Sequence, residues 1–120
     1  MNNKDLSVLH HILDYCGQIQ ETMGEYNSSK ERFLKNATFH NAVCLCLLQI
    51  GELSILLSDE FTDTNAEIQW REIKLLRNIV AHRYGQVDYN IIWEICLTDI
   101  PAMVDFCTII INEQLAKDRQ

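Results

Sequence analysis

In the stretch "RNIVAHRYG", Arg77 to Gly85, an arginine, an asparagine, a histidine and a tyrosine fall within eight residues. Arginine offers a planar, permanently charged fork that suits phosphate. Histidine is both acid and base near neutral pH. Asparagine can hold an imidazole tautomer or a phosphate oxygen, and tyrosine can stack on a base or donate a hydrogen bond. Such a set could cleave RNA without a metal. The histidine would help the substrate's own 2′-hydroxyl attack the adjacent phosphorus, and the arginine would steady the charge building on the phosphoryl oxygens. The same residues have plainer uses. A histidine near a helix C-terminus is favourable charge placement, and Arg77 could pair with Glu52 or Asp88 and do nothing more.

On a helix turning by about 100° per residue, Asn78 and His82 share a face about 40° wide. Arg77 and Tyr84, seven apart, are nearly eclipsed, within about 20°. The two pairs stand about 100–140° apart, so they flank a groove edge rather than converge. Ile79, three residues before His82, lies within about 60° of it, so the polar groups are not simply the solvent side of an amphipathic helix.

The elements that must position them read as helices. Leu6, Leu9, Ile12, Leu13, Cys16, Ile19, Met23 and Tyr26 recur at spacings of three and four, predicting a helix from about Lys4 to Tyr26. Asn27-Ser28-Ser29 breaks it, and Ser28 with Glu31 predicts a capping box for the next helix. That helix extends to about Ser58, with a break expected near Asn36-Ala37-Thr38. Between Ala42 and Leu57 it is apolar nearly all round, which places it mid-bundle or in a subunit interface. "SDEFTDTN", Ser58 to Asn65, reads as a loop. A third helix is predicted over about Glu67 to Arg83, with Ile68, Leu75, Leu76 and Val80 as core candidates, ended by Gly85. A last one covers Asp88 to about Lys117, and Pro101 should kink it or split it. The expected fold is all-α, a single domain over 1–120, an antiparallel bundle of four long helices with short connections.

Composition narrows the function. Hydrophobic residues make up 48% and charged residues 22% of the 120, ordinary for a soluble globular chain. The longest uninterrupted apolar run, Ala42 to Leu48, is far short of the roughly 20 residues of a membrane span, and no secretory signal is visible. The expected address is the cytoplasm. Net charge is −7, with no lysine or arginine cluster, which argues against a general nucleic-acid coat protein but leaves room for a small phosphate site. The five cysteines, Cys16, Cys44, Cys46, Cys96 and Cys107, form no C-x-x-C pair and read as buried free thiols rather than disulfides or zinc ligands. His10 and His11 adjoin on a helix and do not share a face. No metal or cofactor is expected. Trp70 and Trp93 read as core or interface anchors.

The segment "IQWREIKLLRNIVAHRYGQVDYNIIWEI", Ile68 to Ile95, resembles the HEPN-domain toxins, the ribonuclease partners in HEPN–nucleotidyltransferase toxin–antitoxin pairs. The family signature is Arg, four residues, His, one residue, Tyr, commonly with Asn after the Arg; Arg77, Asn78, His82 and Tyr84 fill all four places. "QIGE", Gln49 to Glu52, matches the family's Gly-Glu ending of its central helix segment, and "VDYNIIWEI" and Ile100-Pro101 also fit. The similarity spans about Leu34 to Ile110. One departure is Ile68-Gln69-Trp70, where the family has Ile-Pro-Trp, which should loosen the start of the motif helix.

The resemblance implies an all-α bundle that dimerises, with two motif copies lining one cleft. It implies metal-independent endoribonuclease activity with Arg77 and His82 as the essential pair, Asn78 in support, and Glu52 orienting Arg77 or His82 from the neighbouring helix. Tyr84 would lie at the cleft, where in some of these systems the partner nucleotidyltransferase attaches AMP to silence the toxin; otherwise it packs on Trp70 or Ile91. The alternative is a non-catalytic subunit of the same fold that docks a nucleotidyltransferase or binds nucleotide. The intact polar set favours the enzyme; the acidity favours the binding subunit.

Overall fold

The computed structural model describes the backbone at residues 1–81 and 87–120 and the side chains at 1–78 and 87–120. His82 and Tyr84 lie outside the described residues, as do Arg83 and the side chain of Val80. Among the described residues the chain is all helix: α1 (Asn3–Glu25), α2 (Lys30–Lys35), α3 (Ala37–Ile55), α4 (Asp59–Thr64), α5 (Trp70–Ala81) and α6 (Tyr89–Asp118). α3 packs against both α1 and α5, α1 also packs on α6, and α2 bridges α3 and α6.

The predicted stripe on α1 is the one that goes inside. Leu9, Ile12, Cys16 and Ile19 are fully buried, and Leu6, Leu13 and Tyr26 pack at the margin. The break after it is sharper than its composition suggested. Asn27 and Ser28 both take left-handed backbone angles, φ 56° and 49°, which reverses the chain at some cost for non-glycine residues. The expected cap at Ser28 therefore moves by one: Ser29 caps α2, accepting from the Arg32 N–H. The predicted break at Asn36 is present, and the Asn36 side chain caps α3 through the Phe39 N–H at 3.0 Å.

α3 is long and apolar enough, by length and composition alone, to cross a membrane. Here it is the central helix, with Phe39, Val43, Leu47 and Ile50 closed off from solvent and Leu45, Ile55 and Leu56 left outside. Aromatic rings lock its first turns: Phe39 stacks on Tyr26 at 4.3 Å and meets Phe33 edge-on at 5.1 Å, while Phe33 lies 5.2 Å from Trp93 of α6. His40 takes a partner the sequence did not name. Its ring stacks on Tyr89 at 4.1 Å, and Nδ1 is 2.9 Å from the Phe33 carbonyl.

Four further expectations are corrected, the last in part. Ser58 to Asn65 is not a loop: Ser58 caps a short helix, with Asp59 and Glu60 in the first turn where the helix dipole favours acids. Phe61 turns inward to meet Trp70 and Phe106. The motif helix begins at Trp70 rather than Glu67, because the Trp70 indole N–H donates to the Asn65 carbonyl and anchors the start. Leu75, expected in the core, is exposed, whereas Leu76 is buried. Finally, of the kink or split expected at Pro101, the split does not occur: α6 runs through it as one 30-residue helix. Ile100 and Met103, both closed off at this point, hold the two halves to the core, and packing offsets the roughly 3 kcal/mol that an interior proline costs.

One buried carboxylate ties distant parts together. Asp5 in the first turn of α1 is 1% exposed. It accepts from the Ser58 N–H at 2.8 Å and the Ser58 hydroxyl at 2.6 Å, while Ser58 Oγ accepts in turn from the Phe61 N–H. Charge-assisted bonds of this kind are the strong ones, and removing the acceptor strands buried donors.

All five cysteines are free and buried. Burial pushes the thiols of Cys16, Cys96 and Cys107 up from 9.0 to about 12, and that of Cys44 up to about 11. Neighbouring sulfurs add to the effect at Cys16 and Cys96.

Two measurements follow. Asp5→Ala should lose about 2–3 kcal/mol of unfolding free energy in a denaturant titration, and a cycle with Ser58→Ala should show coupling above about 1 kcal/mol; simple additivity would mean that the contact is incidental. Because the folded thiols hold protons that the unfolded chain releases above about pH 9, stability should be intact below that pH and fall as pH rises toward 11. The slope of melting temperature against pH should flatten when Cys16 and Cys107 are replaced by alanine.

Candidate active site

The motif helix α5 is held chiefly by α3, and the contact has an unusual feature. Gly51 is buried where the two helices cross. A methyl group placed there would stand 2.8 Å from the Arg77 backbone nitrogen and 3.3 Å from both the Arg77 Cβ and the Ile73 carbonyl oxygen. The backbones therefore meet directly, as only glycine allows. The next residue on α3 is Glu52, so the Gly-Glu dipeptide supplies both the seat for the arginine backbone and a carboxylate beside its side chain.

The guanidinium of Arg77 is placed accordingly. Its Nε lies 3.8 Å from the Glu52 carboxylate, with the two side chains 39% and 50% exposed. That separation is too long for a hydrogen bond, and a half-exposed pair of this kind is worth at most about 1 kcal/mol. Nε itself is shielded from solvent and has no hydrogen-bond partner among the described residues. Glu52 thus sits near the charge without consuming its donors. Of the two pairings open to Arg77 from sequence, the structure has the one with Glu52. Asp88 instead caps α6, its carboxylate accepting from the Asn90 N–H at 3.0 Å.

Asn78 is half-buried on the same helix. His82 and Tyr84 lie outside the described residues. Among the described residues no three of His, Cys, Asp or Glu stand together as a cation site. Trp70 and Trp93 are 6% and 5% exposed and serve as core anchors.

Alongside α5 runs a groove of about 510 Å³ shared with α6, lined by Ile68, Ile73, Leu75, Ile91 and Ile95 among others. Leu75 and Ile91 stand largely in solvent. A second hollow of about 310 Å³ lies at the opposite contact of α1, α4 and α6, near Asp5 and Ser58, and holds none of the motif residues. Sequence reasoning noticed Gly51 only as part of a matching string. Its packing role had no signal in the sequence, because the residue it meets is 26 positions away.

Comparison with known proteins identifies the family. The model of the family described as Ribonuclease HepT-like matches residues 12–110. A candidate RNase of Methanocaldococcus jannaschii is 29% identical over 102 residues, covering 84% of this chain and 92% of that protein. A candidate RNase of Caldanaerobacter subterraneus is 35% identical over 95 residues, covering 79% and 83%. A protein of Thermococcus cleftensis named as a candidate ribonuclease HepT is 34% identical over 73 residues, covering 61% and 66%. No solved structure matches the chain. The matched region takes in α5, which carries Arg77, α3, which meets it at Gly51, and most of α6, and the chain belongs to the HepT-like ribonuclease family.

Proposed function

We propose that this ribonuclease is the toxin of a toxin–antitoxin pair and that it cuts RNA internally, without metal, at a cleft built on Arg77 and His82. The observation that carries the proposal is the state of Arg77. It is a permanently charged group, fixed at a helix crossing by its backbone, with a carboxylate nearby and no hydrogen bond from its Nε to any described residue. An arginine arranged this way is prepared for an oxyanion rather than spent on structure.

In this mechanism His82 takes the proton from the 2′-hydroxyl, and the 2′-oxygen attacks the adjacent phosphorus. The bond from phosphorus to the 5′-oxygen of the next nucleotide breaks, leaving a 2′,3′-cyclic phosphate and a 5′-hydroxyl, whose proton comes from solvent or from a second histidine. Arg77 offsets the charge that grows on the phosphoryl oxygens. Asn78 supports the pair, and Glu52 restrains the guanidinium. The chain acts as a homodimer, and the exposed Leu75 and Ile91 beside the motif helix support an apolar contact between two copies. A nucleotidyltransferase of the MNT type serves as the antitoxin and attaches AMP to Tyr84. A second reading, a subunit that docks that partner without cutting RNA, draws on the net charge of −7, which repels a polyanion everywhere outside a narrow cleft.

The test is cleavage of RNA by the chain purified without any partner, in excess EDTA, beside Arg77→Ala and His82→Ala. Each substitution should lower kcat by about 10²–10⁴-fold, with 2′,3′-cyclic phosphate ends in the native reaction. Glu52→Gln should have a smaller effect, about threefold to tenfold, since it acts through Arg77. An unmodified dimer that leaves RNA intact would transfer the case to the docking subunit.

A further inference from the structure

We propose that Gly51 is a positioning residue for RNA cleavage: its missing side chain sets where the Arg77 guanidinium stands. The inference rests on the reading of Arg77 as the phosphate-stabilising group.

At Gly51 the α3 surface meets α5 without any side chain between them. There, a Cβ would lie 2.8 Å from the nitrogen of Arg77 itself, a separation real Cβ atoms essentially never show. The obstructing atoms are backbone atoms of Arg77 and Ile73 and the Arg77 Cβ, which is bonded directly to the backbone, and none can rotate away as the end of a flexible side chain would. An alanine at residue 51 must therefore push the motif helix outward by about half an ångström or more to recover an ordinary contact. The displaced residue is the arginine, and its carboxylate neighbour Glu52 stays behind on α3. The existing separation of 3.8 Å would widen, and the guanidinium would leave its place relative to the phosphate. A misplacement of about 1 Å at a reacting group costs on the order of a hundredfold in rate.

The other helical glycines supply a control. At Gly17 and Gly24 of α1 a Cβ meets nothing within 4 Å, so alanine there should favour the helix without moving anything. Gly17→Ala is thus a stabilised background in which a mere loss of stability at residue 51 can be recovered.

The experiment compares RNA cleavage by the native chain, Gly51→Ala, Gly17→Ala, the double variant and Arg77→Ala, at a temperature where circular dichroism shows the native fold. The expected result is native activity in Gly17→Ala. In both variants carrying Gly51→Ala, kcat should fall at least tenfold with KM within about twofold, and the double variant should melt near the native temperature. Native kcat in Gly51→Ala overturns the proposal, and so does recovery of activity in the double variant, which would reduce the effect to stability. Failure of both Gly51→Ala variants to fold at any temperature also overturns it, by making the glycine a requirement of the fold. A native rate in Arg77→Ala would instead show that the reading of the arginine had failed, whatever Gly51→Ala does.

Discussion

Where α3 crosses α5 the two backbones stand closer than any side chain at residue 51 would permit, and much of the molecule is arranged around that approach. The twelve described residues of α5 are held mainly by α3. Its first turn is secured by other means, the Trp70 indole donating to the Asn65 carbonyl. Leu76 is the buried side chain of its middle. Between these the glycine contact determines the depth of the helix, and with it the position of every residue that α5 presents to the outside.

The rest of the bundle serves to keep α3 itself in place. α1 covers one side with a continuous apolar stripe, and the aromatic group of Tyr26, Phe33, Phe39 and Trp93 clamps its N-terminal turns. Asp5, through Ser58, fixes the short α4 that leads the chain from α3 toward the motif helix. A polar bond in the first turn of the chain therefore controls the path of residues more than fifty positions later. Among the described residues the buried side-chain nitrogens and oxygens in these contacts have partners, and the Arg77 Nε is the exception, as expected where binding rather than stability has shaped the arrangement.

Periodicity made the long helices legible, because burying one face of a helix imposes a repeat that no other element shares. It also showed that α3 is apolar on most sides. What the sequence concealed was decided by geometry between distant residues or by single backbone angles. Ser28 and Ser29 are chemically equivalent as caps, and only the left-handed turn at Asn27 and Ser28 selects the second. The acidic run after Ser58 looks like a loop by composition, yet those acids are what a helix N-terminus favours. Pro101 looked disruptive because its neighbours' packing could not be weighed from the chain alone. At the site, the spacing of Arg77 and Asn78 on a helix was readable, and so was the possibility of a Glu52 partner. That Glu52 and not Asp88 stands beside the arginine depended on where the helices cross. The roles proposed for His82 and Tyr84 rest on the motif alone.

The five thiols have a consequence of a different kind. They are distributed over α1, α3 and α6 and each is buried, so a reagent that traps sulfur can reach them only when those helices come apart. The slow disappearance of free thiol in native buffer is then a clock for the opening of the bundle, running at the frequency of its rare excursions. α5 carries no cysteine. An excursion confined to the motif helix, lifting off Gly51 and returning, would leave the clock untouched.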